Sequence, residues 1–481
     1  MQSRSQRIGM AVAGVLLCVG VIISTIGVLQ IREEHAADGD AAVATATAGP
    51  AATSTPAPLP PGNDWTQYRF DLAGSGLNPE KRITTSNVAQ LQQRWSYLTA
   101  RPFESTPAIV DGTIYVTNSA KEPNNNTMYA LDLRTGKVLW RFDGNQQNRS
   151  AVSSSVAVDP ELHLAFFGTP DAYVYAVDIR TGKEAWHKQI GDPSKGAYIW
   201  SSPLVVNGKV YVGLASRDDK PCVRGGLFAF DEETGKQAWV HYTSPQGLLG
   251  AAIWSSPAAI PEKHWIVVTT GNPCSSTVSG FEEDAILAMD WDTGKTVWKY
   301  TAMPVDDCDC DFGQGPVVYT YKGQQYVVAG NKFGKIWGLR IQGNGVQLAW
   351  TYRITGSGYL GEGGIFEPPS YANGIVYLSG GPTLDGACKQ GAIWALRADS
   401  GKVVWSKCSA NQVVSPSALT GGVLFVPQFK TLVAYDAATG KTLWSAPTNG
   451  SAWGGVAIAH GWVVMGSVPG RLYAFSLPDG A

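Results

Sequence analysis

The sequence predicts an all-β protein, an eight-bladed β-propeller of four-stranded blades, preceded by one transmembrane helix and a linker. Three observations predict it. A phrase of the form Asp-x-x-Thr-Gly-Lys-x-x-Trp returns along the chain, ending at Trp140, Trp186, Trp239, Trp298 and Trp444. With Trp95 and the weaker copies at Trp350 and Trp405, equivalent tryptophans recur roughly every 40 to 60 residues, the period of a propeller blade. The 481 residues include 55 Gly, 28 Pro, 17 Trp and 19 Tyr but are only 16% charged, a balance that favours turns and buried strands over helices.

Residues 8–31 form an apolar run interrupted only by small residues, Ser24, Thr25 and the terminal Gln30. At ~1.5 Å per residue this run is long enough to cross about 30 Å of hydrocarbon. Arg4 and Arg7 precede it, whereas Glu33 and Glu34 follow it. Residues 1–7 are therefore expected to stay cytoplasmic and the rest of the chain to be exported. A cleaved secretory signal needs a small-residue site after a shorter apolar core, and Gln30-Ile-Arg-Glu-Glu34 offers none. The expectation is a single-pass anchor in the cell membrane, with the folded part on the extracytoplasmic side. Cys18 lies mid-span behind a bulky leucine and reads as a buried apolar side chain, not a lipid-attachment site. Residues 32–63 are rich in Ala, Thr, Ser and Pro and read as a tether, so the propeller occupies 64–481.

Within the propeller each phrase such as Asp132-Leu-Arg-Thr-Gly-Lys-Val-Leu-Trp140 is a hairpin. An apolar strand enters, glycine supplies the positive φ of the turn, and a strand carrying Trp leaves. A second phrase, of the type Ser202-Pro-Leu-Val-Val-Asn-Gly-Lys-Val-Tyr-Val-Gly213, supplies another hairpin per period, which makes four strands. The last copy, from Arg471, stops where its Trp strand should begin, while Leu91-Gln-Gln-Arg-Trp95 is a Trp strand with no hairpin before it. The N-terminal strand is thus expected to complete the final blade and close the ring. The repeat tryptophans are assigned to docking between blades.

With 37 Lys and Arg against 39 Asp and Glu the net charge is −2, which removes the basic surface that nucleic acid requires. Outside the apolar run six cysteines remain: Cys222, Cys274, Cys308, Cys310, Cys388 and Cys408. In an exported domain an even count implies up to three disulfides. Cys388 with Cys408 is the first choice, within one repeat; Cys222 pairs with Cys274 or with one of Cys308 and Cys310. Cys308-x-Cys310 lacks a second ligand pair at zinc-site spacing. The six histidines are scattered and form no ligand pair.

The repeated phrase, with the opening Asp64-Trp-Thr-Gln-Tyr-Arg-Phe-Asp-Leu-Ala-Gly-Ser-Gly76 and Thr85-Ser-Asn-Val-Ala-Gln-Leu91, resembles the pyrroloquinoline quinone (PQQ) propeller superfamily and its quinoprotein alcohol dehydrogenases. Three local matches carry the functional side. Trp254 matches the tryptophan that stacks under the quinone, and Asn272 of Thr269-Thr-Gly-Asn-Pro273 the asparagine that binds the metal. In Pro304-Val-Asp-Asp-Cys-Asp-Cys-Asp-Phe312, Asp309 matches the catalytic base and metal neighbour, and Asp311 the extra carboxylate of lanthanide-using members. Lys332 of Asn331-Lys-Phe-Gly334 matches the basic residue that pairs with the quinone oxygens. Trp453, in Trp453-Gly-Gly455, has a counterpart near the axial cavity.

The resemblance implies PQQ with Ca²⁺ or a lanthanide as cofactor and an alcohol as substrate. The types make chemical sense, since a hard cation wants carboxylate and amide oxygens and a nearby carboxylate accepts the hydroxyl proton. The chain carries no Cys-x-x-Cys-His, so electrons are expected to leave to a separate acceptor. Departures are as informative. The adjacent cysteines that roof the quinone in alcohol-oxidising members are replaced by Ala151-Val-Ser-Ser-Ser-Val156, and the basic residue that follows them is missing. The expected glutamate ligand before Val223-Arg-Gly225 is replaced by Lys220, or by Asp219 with a one-residue shift. Polyvinyl-alcohol-type relatives share the Asp-x-Asp-Phe-Gly segment, which leaves the substrate class open.

Each residue also has a plain structural reading. Ile253-Trp-Ser-Ser-Pro257 copies Ile199-Trp-Ser-Ser-Pro203, so Trp254 is also a repeated packing position. The acids at 307, 309 and 311 suit a solvated loop, Asn272 a simple turn, Lys332 a solvated turn and Trp453 another blade tryptophan. The same repeat builds non-enzymatic envelope scaffolds, including the lipoprotein propeller that assists outer-membrane barrel assembly, so a protein-interaction scaffold is the alternative function. A sensor or carbohydrate-binding module is a third, without a specific motif.

Overall fold

The computed structural model describes residues 63–118, 127–144, 152–218, 221–274, 282–303, 309–358 and 363–478. The apolar run at 8–31 and the tether lie outside them; among the described residues no helix is long and apolar enough to cross a membrane.

Eight antiparallel sheets follow one another along the chain. Blade one is Ala108–Val110, Thr113–Thr117, Met128–Asp132 and Val138–Phe142, from the axis outward. Blades two to seven repeat this order over 157–189, 204–242, 258–301, 317–353, 370–408 and 418–447; blade three adds the short strand Ala197–Tyr198. Middle strands such as Leu164–Gly168 are buried along their whole length, because both of their faces pack on neighbouring blades. Outermost strands such as Glu184–Gln189 bury little besides the tryptophan.

Closure follows the expected route. Val456–Ala459, Trp462–Gly466 and Arg471–Ser476 form three strands of blade eight, and Gln92–Leu98 supplies the fourth by pairing with Arg471–Ser476. First and last residues of the ring thus share a sheet.

The repeated phrase builds a staple between blades. Asp132 Oδ1 accepts from the Thr135 amide at 2.7 Å and its hydroxyl at 2.6 Å, and Gly136 turns the chain at φ +67°. The Trp95 indole lies over Gly136, where a Cβ would collide with it, and donates to the Leu133 carbonyl at 2.9 Å. The same bond runs from Trp140 to Ile179, Trp186 to Glu232, Trp239 to Trp291, Trp350 to Ala398, Trp405 to Ala437 and, across the closure, Trp444 to Leu91. Trp298 alone lacks the acceptor, because the outer hairpin of blade five turns at Gln342–Gly345 instead of an Asp-x-x-Thr-Gly phrase.

One feature of the axis has no counterpart in the repeat. Residues 65–78 run around the inside of the ring, adding hydrogen bonds to the free edges of the innermost strands. Trp65 pairs with Ile109 of blade one, and Thr66 accepts from Val158 of blade two. Leu72, Ala73 and Ser75 accept from Ala259, Val318 and Tyr371 of blades four, five and six. Gly76 and Asn78 bond Leu419 of blade seven, and the Asn78 side chain donates to Ile458 of blade eight. Arg69 and Phe70 hold positive φ of 65° and 76°, and the buried Arg69 guanidinium bonds the Ser417 carbonyl, the Pro369 carbonyl and the Ser370 hydroxyl. Gly76 leaves the space that this guanidinium fills.

The first-choice disulfide Cys388–Cys408 forms, and of the partners left open for Cys222 the structure pairs it with Cys274. Cys310 is disulfide-bonded as well.

Candidate active site

The loops that lead from each outermost strand to the next innermost strand ring one mouth of the axis. Residues just before each innermost strand link blade to blade. The Thr106 amide donates to Ser155 Oγ at 2.9 Å, Ser155 to Ser202 Oγ at 3.0 Å, Ser202 to Ser256 Oγ at 2.9 Å, and Gly455 to Thr106 Oγ1 at 2.7 Å. The repeated Ser-Ser-Pro is therefore a ring-forming device. Two places earlier stand Glu104, Ser153, Trp200, Trp254, Gly313, Phe366, Val414 and Trp453. The loop of blade five breaks the pattern with Phe312-Gly-Gln-Gly-Pro316, and the site lies against this break.

Trp254 leans over the break. A Cβ at Gly313 would collide with its indole ring, so glycine there makes room for the tryptophan to extend into the next blade. The indole Nε1 donates to Asp311 Oδ2 at 2.9 Å. Asp311 is 2% exposed, and its Oδ1 holds the Lys332 ammonium at 2.6 Å. Lys332 Nζ also donates to Asp309 Oδ1 at 3.0 Å and stands 5.0 Å from the centre of the Trp254 ring. The turn that carries it, between Gln324–Gly330 and Lys335–Gln342, is seated on the site by its backbone: the Lys332 amide donates to the Asp311 carbonyl at 3.1 Å. Asp309 is half-buried, at φ +50°.

Burial works against the charge of Lys332, but the Asp311 and Asp309 carboxylates outweigh it and raise its pKa above the ordinary lysine range. Asn272 belongs to the neighbouring turn. Gly271, just before it, packs against Asp311 so closely that a Cβ would crowd Oδ2, and the Asn272 carbonyl accepts from Ala251 at 2.8 Å.

Of the residues singled out in the sequence, the fold brings Trp254, Asp309, Asp311 and Lys332 into one cluster and sets the Asn272 turn beside it. Trp453 occupies the corresponding loop place in blade eight and is 44% exposed. Asp219 lies outside the described residues. Sequence reasoning passed over Glu104, which takes the place of Trp254 in the loop of blade one. Burial pushes its carboxyl up, opposed by the hydrogen bond from Ser153 Oγ at 3.1 Å. Aligning the eight loops on their serines would have found Glu104 and the two glycines of blade five.

The family described as "Glucose/ethanol/alcohol dehydrogenase, beta-propeller domain" matches residues 65–346, and the chain belongs to it. A second description, "Outer membrane protein assembly factor BamB", matches residues 389–481. A polyvinylalcohol dehydrogenase of Pseudomonas sp is 26% identical over 86% of this chain and 73% of its own length. The quinohemoprotein alcohol dehydrogenase ADH IIB of Pseudomonas putida is 32% identical over 52% of this chain and 41% of its own. Among solved structures, a europium-containing methanol dehydrogenase superposes with a TM-score of 0.72 at 20% identity, covering 86% of this chain and 98% of that one, a likeness of fold.

Homology to quinoproteins assigns PQQ as the cofactor class. The residues present fit it. Asp309 and Asp311 offer hard carboxylate oxygens, and the turn that carries the Asn272 amide packs against Asp311. The face of Trp254 and the absent Cβ at Gly313 provide a flat bed for a planar ring. Trp254, Lys332 and Trp453 are the groups that would hold the ring, and Asn272 with Asp309 the cation.

Proposed function

We propose that this protein is a membrane-anchored, exported quinoprotein that oxidises an alcohol and passes the electrons to a separate acceptor. The observation that carries the reading is the Trp254–Asp311–Lys332–Asp309 cluster, a buried charged constellation set against the glycine loop of blade five. A scaffold has no use for it.

When bound, PQQ supplies a two-electron acceptor and its cation a Lewis acid. The chain supplies the base. Lys332 is held protonated, so it serves as a donor, and the base is the Asp309 carboxylate. Its Oδ1 is oriented by Lys332 Nζ, and it accepts the hydroxyl proton of the alcohol and holds it until turnover is complete. Asp311 fixes Trp254 and Lys332 in relation to each other, and its remaining lone pairs allow a shared contact with a cation. The roof over the ring is altered in this sequence. The polyvinylalcohol dehydrogenases, similar along most of the chain, favour a bulky or polymeric alcohol.

The test uses the full chain in detergent, loaded with PQQ and Ca²⁺ or La³⁺. Stoichiometric quinone absorbance and dye-coupled oxidation of small and polymeric alcohols are expected, with binding lost in Trp254→Ala and Asp309→Ala. No bound quinone with either metal would leave the scaffold reading, supported by the BamB match at the C-terminal blades.

A further inference from the structure

The Asn272 turn is held from two sides. Toward the axis, the Gly271 amide donates to the Ala252 carbonyl at 2.8 Å and Gly271 packs on Asp311. Away from the axis it joins a narrow ribbon. Pro273 pairs with Gly250, the Cys274 amide reaches the Leu249 carbonyl at 3.4 Å, and Ala251 donates to Asn272 at 2.8 Å. On its other side Gly250 pairs with Arg224: its amide donates to Val223 at 2.8 Å, and Gly225 donates back to it at 3.0 Å. Gly250 sits at φ +105°, and a Cβ there would strike Cys274 and Pro273, so only glycine lets the three segments lie this close. The Cys222–Cys274 disulfide, with its Cα atoms 6.2 Å apart, joins the two outer segments across the boundary of blades three and four.

Isolated bridges of this kind are marginal in water, so the backbone bonds alone do not fix the ribbon. The disulfide does not serve the core: Cys274 is exposed and Cys222 half-buried, and neither packs in an apolar cluster. What it does hold is a turn whose middle residue is Asn272, and a central segment that runs on to Trp254.

We propose that Cys222–Cys274 is a redox-dependent clamp that positions Asn272 for the cofactor cation. The inference rests on the quinoprotein reading of the site. Oxidised, the clamp keeps the Asn272 turn packed against Asp311. A dithiol reductant delivers two electrons and two protons to the sulfurs, breaks the S–S bond to give two thiols, and is itself oxidised to a disulfide. The turn then keeps only its backbone bonds, and cation retention falls.

The test uses the full chain and terbium(III), a luminescent lanthanide probe, with affinity read by sensitised emission and equilibrium dialysis in the presence of PQQ. Cys222→Ser/Cys274→Ser is expected to bind terbium about 10 to 100 times more weakly, the range for groups that orient metal ligands. Cys388→Ser/Cys408→Ser, which opens the disulfide of blade six, is expected to keep wild-type affinity. Dithiol treatment of the wild type should reproduce the loss, and Asn272→Ala should add nothing to it. Unchanged affinity in the first variant, or equal losses in both disulfide variants, overturns the clamp while leaving the cofactor reading intact. No terbium binding by the wild type overturns both.

Discussion

Trp254 of blade four donates its indole N–H to Asp311 of blade five at 2.9 Å, while the second oxygen of Asp311 holds Lys332 at 2.6 Å. One buried carboxylate thus sets the position of the aromatic bed and of the cation that faces it. Asp311→Asn removes the charge that keeps Lys332 in place. Loss of one partner of a buried ion pair costs roughly 3–5 kcal/mol, here reduced because Asp309 retains the ammonium. The expected outcome is a lower melting temperature together with loss of quinone binding, read by calorimetry and by absorbance.

Gly313→Ala places a methyl group where the Trp254 ring lies. The surrounding blade has no reason to unfold, so the melting temperature should stay close to wild type. Tryptophan emission should shift and PQQ affinity should fall at least tenfold. Unaltered affinity would show that the ring tolerates displacement and is not the bed.

Lys332→Met is expected to act in opposite directions on two ligands. Without the ammonium, Asp309 and Asp311 lose the cation that they share, so terbium(III) should bind more tightly in the absence of quinone. PQQ, an anion, should bind more weakly. Parallel losses for both ligands would mean that Lys332 organises the carboxylates and does not compete for them.

Trp298 offers an internal control on blade docking. Trp140→Phe removes a made hydrogen bond to Ile179, whereas Trp298→Phe removes an indole N–H with no acceptor. The first should therefore cost about 1 kcal/mol more than the second, measured as the difference in thermal stability.

Glu367 gives the pH dependence. It is fully buried, and desolvation pushes its carboxyl up to about 8, against the hydrogen bonds from the Ser379 hydroxyl and amide and the charge of Arg69. The folded state therefore holds the proton more tightly than the unfolded chain. The stabilising contribution is complete below the unfolded value near 4.5 and is lost as the pH rises toward 8. The slope is at most about 1.4 kcal/mol per pH unit for one proton. Glu367→Gln should flatten the fall in melting temperature between pH 5 and pH 8, as checked by calorimetry across that range.

The blade count, the strand order and the ring closure were legible because each is a local pattern repeated. An Asp-x-x-Thr-Gly-Lys turn and its tryptophan specify a hairpin and a docking surface wherever they stand, and the unmatched strand at Gln92–Leu98 had one place left to pair. Asp309, Asp311 and Lys332 stood out through the resemblance of their phrases to quinoprotein segments. Their mutual contact was not legible. Trp254 and Asp311 are 57 residues apart, and nothing in either phrase states that the two loops meet.

What the sequence by itself determined, then, is the propeller and its phase, since periodic burial and turn chemistry act within a few residues. The tertiary structure alone decided what happens on the axis. There residues 65–78 wind past the inner strands with Arg69 and Phe70 in left-handed conformations, the disulfide of Cys222 resolves to Cys274, and the broken loop of blade five receives the indole of Trp254. The physical reason is that these contacts join segments from different blades, whose proximity exists only once ring closure has set every blade against its neighbour.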